Sequence, residues 1–370
     1  MNASRVFRTL TKCDKSATKD EVYSRMGRKG HKRLSAFCLL VLLCLLLALW
    51  SGHFNSIEDP DQQFAWLRRS RDARLYVRPL TKTTLLEPSE QCNSNHRLLL
   101  MVTSAPSHTE NRQAIRDTWG QRHPDAKHFF FLGREESETE PSADILSESH
   151  QYGDLIVEDF VDTYQNLTLK TLFMLKWVLD NCAFVPYILK TDDDMLINTR
   201  GLIRQLDHLG DGSQSLVSGM RYRNVSPYRD SSSKWYVPEW LYSQDVFPDF
   251  VSGTAYLMSR VAAKKLYDAA LDTPLMPLED VFLTGIVASQ GLGMPLENLP
   301  RFRKDRPSKV GHPCLFHHLL TVHELPPTEL KRIWTSLIDL KPSSCDSLFV
   351  KFLAFLYGTG KFQVLLNDPW

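Results

Sequence analysis

The chain of 370 residues lacks the glycine-rich loops with which many nucleotide-binding proteins hold phosphate groups. Neither G-x-G-x-x-G nor G-x-x-x-x-G-K-[ST] occurs, which excludes Rossmann-type dinucleotide-binding proteins and P-loop proteins. A nucleotide ligand would therefore need a metal ion and basic side chains to hold its phosphates. The chain also lacks a strong net charge, at +1 for pH 7. Nothing in the composition indicates nucleic-acid binding.

A basic leader precedes a long apolar run near the N-terminus. Residues 1–33 are rich in Lys and Arg, and residues 34–54 contain no Asp, Glu, Lys or Arg. As a helix, that run would span about 31 Å, enough for the hydrocarbon core of a bilayer. The pattern predicts a cytosolic tail over residues 1–33 and a transmembrane signal anchor over 34–54, with a lumenal remainder. A cleaved signal peptide is the alternative, and it fits less well because the leader is long.

Few cysteines are present, and the predicted topology sorts them by compartment. The four on the lumenal side could form up to two disulfides, and the sequence leaves the pairing open. These four are Cys92, Cys182, Cys314 and Cys345. Two N-glycosylation sequons, at Asn166 and Asn224, fall on the same side. Sequons also occur by chance, so they agree with the topology without proving it.

Beyond the anchor, the sequence changes character at about residue 96. Residues 55–95 mix charges, prolines and scattered apolar residues, which predicts a stem. From residue 96 to 340, short apolar runs alternate with helical patterns, which indicates an α/β domain. We expect a mixed, mostly parallel sheet with helices on both faces. The predicted strands are 98–102, 128–132, 155–157 and 187–190, and the predicted helices are 112–119, 142–152 and 167–180. Residues 341–370 form a C-terminal extension with no functional interpretation.

The predicted strand 187–190 is followed by three consecutive carboxylates, Asp192, Asp193 and Asp194. Like charges side by side in a partly desolvated site repel one another unless a cation neutralises them. A hard divalent cation, often shared with a phosphate, is the usual partner. Ligands bind at the carboxyl ends of strands in such sheets, so the triplet predicts a metal site there. An acidic turn is the alternative.

Six sequence blocks, in this order, resemble those of one family. They are Asn111–Gly120, Phe130–Gly133, Asp159–Thr171, Lys190–Asp194, Val251–Ser259 and Leu278–Gly285. From about residue 96 to 340 the chain resembles the β-1,3-galactosyltransferase and β-1,3-N-acetylglucosaminyltransferase family, glycosyltransferase family 31. The order of the blocks makes the resemblance specific, since any one block alone would be weak.

The resemblance implies a glycosyltransferase fold of the A type and transfer of a hexose from a UDP-sugar with Mn²⁺ or Mg²⁺. It further implies inversion, a β-1,3 linkage and a glycan acceptor on a glycoprotein or glycolipid. Galactose is the first expectation for the donor sugar and N-acetylglucosamine the second. We expect a type II protein of the Golgi membrane, and a homodimer is left open. A catalytically inactive relative that binds another transferase is the alternative function.

For the metal, the resemblance implies that Asp194 is the principal ligand. Asp192 either faces the ribose or grips the metal, and it is assigned to the metal as well. His323 resembles a family position where a histidine completes the metal shell. A zinc site is the alternative, although the paired-cysteine spacing of such sites is missing. It would be built from His312, His317, His318 and Cys314.

The donor is assigned to basic side chains around the triplet and to Asp193. Arg112 and Arg116 share a helix face, where both guanidinium groups could reach one anionic or uracil-bearing ligand. A solvated helix face is the alternative. Lys190 abuts the triplet and either reaches the diphosphate or balances the carboxylates. The residues at one loop-to-helix junction could either contact the substrate or cap the helix. That junction contains Asp162, Tyr164, Asn166 and Lys170.

The acid–base and acceptor assignments fall later in the chain. In the family, the aspartate that matches Asp280 is the catalytic base, and a single inverting displacement needs only one base. A helix cap is the structural alternative. Glu279 is the second candidate for the base and is assigned to the acceptor. Trp235 and Tyr236, in an aromatic segment, predict a wall for an acceptor sugar. The chain departs from the family at Phe250 and in the glycine pattern after it, which leaves acceptor choice open.

Overall fold

A computed structural model of the chain describes residues 61–340, apart from residues 300, 305, 307–312 and 318. The predicted tail (1–33), membrane anchor (34–54) and C-terminal extension (341–370) lie outside the described residues. His312, His318 and Cys345 lie outside them as well. Within the described part of the chain, no helix combines the length and the hydrophobicity needed to cross a membrane. The elements below belong to a compact unit that begins at Gln63.

Eight strands form the main sheet. They are β1 (Thr84–Leu86), β2 (Leu98–Thr103), β3 (Ala126–Arg134), β4 (Leu155–Val161), β5 (Tyr187–Asp192), β7 (Val217–Tyr222), β8 (Phe250–Ser259) and β9 (Leu296–Asn298). Their spatial order is β1-β4-β3-β2-β5-β8-β7-β9. The four central strands β4, β3, β2 and β5 are parallel, whereas β1 and β8 run antiparallel to their neighbours. A smaller sheet joins β10 (Phe302–Arg303), β11 (Thr321–Val322) and β6 (Leu196–Ile197).

Helices cover the sheet on both faces, which confirms the predicted mixed α/β architecture. They are α1 (Ala65–Arg69), α2 (Ala73–Val77), α3 (Thr109–Arg116), α4 (Ala143–Tyr152), α5 (Leu167–Asn181), α6 (Thr199–Leu209), α7 (Arg260–Leu271), α8 (Pro313–Phe316) and α9 (Pro327–Ile338). Short 3-10 turns lie at Gln62–Phe64 and Tyr164–Asn166. A π-helical segment spans Val281–Gly291, and π geometry often occurs at functional sites.

The central strand β2 shows why this sequence folds as a two-layered core. All six of its residues are buried, because a parallel strand covered on both faces reads as a continuous apolar run. Leu99 and Met101 join one hydrophobic cluster with α5 and α7. Leu98 and Leu100 join the other, with α3, α6 and α9. Each fully buried side chain of this kind contributes about 1.5–3 kcal/mol.

The predicted stem needs a correction over its described part. Strand β1 is an edge strand of the main sheet, pairing with β4, and Leu67 and Val77 are buried in the core. Cys92 forms a disulfide with Cys182 at the end of α5, across 90 residues of sequence. Scattered apolar residues without a regular period hid this packing. Residues 63–95 therefore belong to the folded domain.

Candidate active site

Two parallel strands end side by side at the predicted site. The register of β2 and β5 pairs Thr103 with Asp192, and the Thr103 hydroxyl donates to Asp192 Oδ1 over 2.9 Å. The Lys190 ammonium donates to the same oxygen over 2.7 Å. These two bonds fix the first carboxylate of the triplet at the carboxyl end of β5. The sheet thus places the triplet where ligands of α/β domains bind.

Asp192, Asp194 and His323 lie close together, as the sequence predicts. One ligand atom from each lies within 4.8 Å of the others. The small sheet brings them together, because antiparallel pairing of β11 with β6 sets Val322 opposite Leu196. His323 directly follows Val322, and Asp194 lies two positions before Leu196. We call these three residues the carboxylate cluster.

The donor set of the carboxylate cluster fits a divalent cation. The Oδ1 atom of Asp194 is buried and, among the described residues, receives no hydrogen bond. Its Oδ2 atom lies 3.1 Å from His323 Nε2. The other imidazole nitrogen, Nδ1, donates to the Lys304 carbonyl over 2.8 Å, which orients the ring in the way typical of histidine ligands. Carboxylate and imidazole ligands suit Mn²⁺ and related divalent ions.

Lys190 is buried and its ammonium is held by protein groups, which favours the balancing role over contact with the donor. Besides Asp192, its ammonium donates to the Gly253 carbonyl over 2.6 Å and lies 3.9 Å from Glu279 Oε2. Burial alone would lower its pKa, but attraction to Asp192 and Glu279 raises the pKa above the usual value. Lys190 therefore balances the carboxylates, which is the other role considered for it.

Asp280 lies beside this group, on the strand-facing side of the π-helical segment. Its Oδ2 accepts from the Gly253 backbone N–H over 3.1 Å, and its Oδ1 accepts from the Val281 N–H over 2.9 Å. A Cβ on Gly253 would lie 3.2 Å from the Asp280 Cβ and from Glu279 Oε2, so the close approach favours glycine. Burial raises the pKa of Asp280, which makes its carboxylate a stronger base.

Glu279 points into the interior, so it is not available as an acceptor-binding residue. Its Oε1 accepts from the Tyr256 hydroxyl over 2.7 Å, and both groups are buried. Burial raises the pKa of Glu279 to about 7, although the nearby Lys190 acts in the opposite direction. The Glu279 carboxyl is therefore a buried structural group, whereas the neighbouring Asp280 is partly exposed.

Asp193 likewise turns away from the carboxylate cluster, which corrects its assignment to the donor. It is buried, with Oδ2 2.9 Å from His108 Nδ1 and the Asn111 amide 3.4 Å from Oδ1. The hydrogen bond to the Asp193 carboxylate raises the pKa of the half-exposed His108. This contact anchors the loop after β2, and no pattern in the sequence pointed to His108.

Arg112 and Arg116 do not line the site, so their assignment to the donor is wrong. Arg112 is fully buried and forms a bidentate pair with Glu148 at 2.8 and 2.7 Å. Arg116 pairs with Glu148 and with both oxygens of Asp154, each at 2.8 Å. We call these four residues the arginine network. Their shared helix face packs against α4 and β4 instead of facing a ligand.

Tyr164 is one of the four junction residues for which the sequence leaves substrate contact open, and it lies near the carboxylates of the site. It is 44% exposed, and burial of its hydroxyl together with the charges of Asp280 and Asp192 raises its pKa to about 12. Trp235 is 45% exposed as well. Tyr236 instead packs toward the core, with its ring 6.0 Å from that of Phe64. Of the two predicted acceptor residues, Trp235 therefore keeps an exposed ring, whereas Tyr236 packs against the domain.

The two sequons differ in accessibility. Asn224 is exposed in a loop with a positive φ of 53°. The amide nitrogen of Asn166, to which a glycan would be attached, donates to the Val161 carbonyl over 2.8 Å. Thr168 of the same sequon is buried. The fold favours Asn224 over Asn166 as an acceptor.

Comparison with known proteins assigns the chain to a class. The Galactosyltransferase family model matches residues 110–300, a range that carries the triplet and Asp280. The chain belongs to this galactosyltransferase family. It is 34% identical over 271 residues to human β-1,3-galactosyltransferase 2, covering 71% of this chain and 64% of that one. It is 30% identical over 335 residues to mouse β-1,3-galactosyltransferase 1, covering 85% of this chain and 99% of that one.

Solved structures show looser likenesses. Mouse xyloside xylosyltransferase 1 aligns with a TM-score of 0.30 at 13% identity, over 62% of this chain and 97% of that one. The galactosyltransferase LgtC, in complex with donor and acceptor sugar analogues, aligns with a TM-score of 0.35 at 8% identity, over 71% and 96%. Scores at this level carry no argument about the site.

Proposed function

We propose that the chain is a metal-dependent, inverting glycosyltransferase that transfers galactose from UDP-galactose to a glycan hydroxyl in β-1,3 linkage. Support comes from the family and from the relatives, which are named β-1,3-galactosyltransferases. We also propose the A-type glycosyltransferase fold, since its mixed sheet and acidic triplet agree with the observed topology.

One observation carries the proposal: Gly253 joins the two halves of the site. Its carbonyl accepts from Lys190, which also holds Asp192. Its N–H donates to Asp280. The carboxylate cluster and a half-buried carboxylate of raised pKa are therefore held at one place on the sheet. A donor diphosphate at the carboxylate cluster and an acceptor hydroxyl at Asp280 would therefore lie close to each other.

In the proposed reaction, Asp280 accepts the proton of the acceptor hydroxyl as the oxygen attacks the anomeric carbon. The new C–O bond forms as the bond between the anomeric carbon and the diphosphate oxygen breaks. The electron pair of the broken bond leaves with UDP. A single displacement converts an α-linked donor into a β-linked product. A divalent cation bound by Asp192, Asp194 and His323 would neutralise charge on the departing diphosphate. Lys190 and Thr103 hold Asp192 in place.

The experiment measures UDP release by the purified full chain with Mn²⁺, offering UDP-galactose and UDP-N-acetylglucosamine in parallel with a panel of β-linked acceptors. We expect acceptor-dependent release with UDP-galactose. Asp280→Asn should lower the rate about 100- to 10,000-fold, since general-base catalysis contributes that much. Asp144→Asn, on the exposed start of α4, is the matched control. UDP release with UDP-N-acetylglucosamine alone would contradict galactose as the donor sugar. UDP binding without release on any acceptor would contradict the proposed transferase activity.

The location is proposed separately. The apolar run over residues 34–54 and its basic flank support a type II protein with the domain in the Golgi lumen. Protease added to intact Golgi vesicles should spare the domain and remove an epitope placed in residues 1–33. Digestion of the domain in intact vesicles would contradict this topology, because the domain would then lie on the cytosolic side.

A further inference from the structure

A cavity of about 290 Å³ lies beside the end of α5 and the loop before β1. Lys170, near the start of α5, donates to the Ser104 carbonyl just beyond the carboxyl end of β2, where the candidate site lies. Asp180 and Asn181, at the other end of α5, line the cavity. At about 1.5 Å per residue, roughly 15 Å of helix separates Lys170 from Asp180. The cavity is therefore distinct from the candidate active site.

A buried carboxyl oxygen at this cavity lacks a hydrogen-bond donor. Glu158 of β4 lines the cavity and is 1% exposed. Its Oε1 accepts from the Thr84 hydroxyl over 2.6 Å, whereas its Oε2 is buried and accepts no hydrogen bond from the described residues. Buried polar atoms in folded proteins are nearly always hydrogen-bonded. Oε2 therefore points to a partner that the described fold does not supply.

Lys176 of α5 brings a second incompletely satisfied group to the same cavity. The side chain is buried, and its ammonium donates to the Thr81 carbonyl and to the Thr83 hydroxyl, the latter over 3.1 Å. An ammonium has three N–H donors, so one is left without an acceptor among the described residues. Burial lowers the pKa of Lys176, and it raises the pKa of Glu158 in spite of the nearby threonine hydroxyls. The fold therefore compensates both charges only in part.

The chemistry of the cavity suits a ring that carries several hydroxyl groups. A hydroxyl both donates and accepts, so it matches a wall with one free donor and one free acceptor. Asp180 and Asn181 add polar groups at the exposed rim, and Pro79 and Leu80 add apolar surface for the C–H face of a ring. The volume is many times that of one water, which takes about 30 Å³ of the liquid. Among the described residues, only the carboxylate cluster is arranged for a metal ion.

We propose that this cavity is a second carbohydrate site, which binds one sugar unit apart from the active site. One sugar hydroxyl donates to Glu158 Oε2, another accepts from the Lys176 ammonium, and the C–H face of the ring packs on Leu80. The Leu80 side chain is fully exposed, so it is free to make such a contact. The inference does not depend on the proposed galactosyl transfer. Water alone is the competing occupant of the cavity.

Hydrogen–deuterium exchange of the purified full chain, read by mass spectrometry, tests the site. The probes are the methyl glycosides of galactose, glucose and N-acetylglucosamine, and the detergent carries no sugar headgroup. At a probe concentration about ten times Kd, amide exchange in residues 80–87 and 176–181 should slow by about tenfold. Cyclohexanol, a ring with a single hydroxyl, should have a smaller effect at the same concentration. If none of the three glycosides slows exchange in these segments, the cavity holds water only and the inference is overturned.

Two variants locate the sugar within the cavity. Glu158→Gln removes the charge of the buried carboxyl and should weaken binding about tenfold, as expected for one hydrogen bond to a charged group. Asp180→Arg places a large cation at the rim and should abolish the protection, and it should fold because a cation suits the end of a helix. Glu136→Arg makes the same charge change on an exposed turn after β3 and should bind as wild type does. Protection that survives both Glu158→Gln and Asp180→Arg would place the sugar elsewhere and overturn this site.

Discussion

The arginine network and the carboxylate cluster differ in how their charges are balanced. In the arginine network, two guanidinium groups face the two carboxylates of Glu148 and Asp154, all at 2.7–2.8 Å. In the carboxylate cluster, Asp192 is paired with Lys190, whereas Asp194 meets one imidazole and has a buried oxygen with no donor among the described residues. The first group is electrically closed and the second is open to a cation.

The pKa values of two buried carboxyl groups express the same difference. Burial would raise the pKa of Asp154, but the neighbouring His128 and Arg116 lower it to about 2. Burial raises the pKa of Glu279 to about 7, because the lowering by Lys190 is smaller than the raising by burial and by the charge of Asp280. Balanced charges in an interior hold a fold together, whereas an excess of one sign marks a place for a ligand.

Removing a carboxylate from the carboxylate cluster should have the largest effect on Mn²⁺ binding and on activity. Asp194→Ala removes the carboxylate with the unpartnered oxygen, so Mn²⁺ binding and galactosyl transfer should fall together. We expect transfer to drop about a thousandfold or more, because a bound metal contributes several kcal/mol to the transition state. The thermal midpoint without added metal should hold or rise, since a partly buried like charge is lost. Calorimetric titration with Mn²⁺, UDP release and thermal unfolding measure the three quantities.

The control for this change is Asp268→Ala, which removes a carboxylate paired with Lys264 on the exposed face of α7. It should bind Mn²⁺ and transfer galactose as wild type does. If Asp194→Ala also kept wild-type affinity for Mn²⁺, the metal would lie elsewhere and the cluster would be only an acidic turn.

Breaking the closed network should affect stability and not chemistry. Arg112→Ala leaves Glu148 buried with one of its two cationic partners missing, which should cost about 3–5 kcal/mol of unfolding free energy. Urea unfolding followed by tryptophan fluorescence measures it. The double variant Arg112→Met with Glu148→Leu removes both charges and should recover much of the loss. Unchanged unfolding together with weaker UDP binding would return Arg112 to the donor site.

This contrast also shows what the sequence could predict. The triplet follows an apolar run, so its place at the carboxyl end of β5 and the expectation of a cation there followed from local pattern alone. Arg112 and Arg116 were misread for a matching reason: their spacing is local, but their partners Glu148 and Asp154 lie more than 30 residues away, on α4 and before β4. A helix face rich in arginine looks the same whether it meets a ligand or a carboxylate.

Other site features depend on tertiary packing that no local pattern encodes. Tyr164 lies in a block that the resemblance included, yet only the fold brings it near the charge of Asp280. The inward turn of Glu279 depends on Tyr256, at a position of β8 that faces the interior. Strand β1 joined the sheet by pairing with β4, although its own three residues carry too short a pattern to predict a strand.

The smallest expected effect sharpens the comparison at Glu279. Its folded pKa, about 7, lies above the ordinary 4.5, so the folded chain holds this proton more tightly than the unfolded chain. The resulting stabilisation is complete below pH 4.5 and is lost as the pH rises through 7. Glu279→Gln cannot ionise, so its unfolding free energy should gain on wild type by about 2 kcal/mol between pH 5 and 8.5. Thermal unfolding across that range measures the gain.

Glu297→Gln, on the exposed end of β9, is the matched control and should run parallel to wild type over the same range. Asp154 should contribute no slope there, because its folded pKa of about 2 confines its effect to more acidic solutions. A parallel curve for Glu279→Gln would mean that Glu279 is fully ionised in the fold. The site would then be balanced by Lys190 in the way that the arginine network is balanced, and the distinction between the two groups would rest on the carboxylate cluster alone.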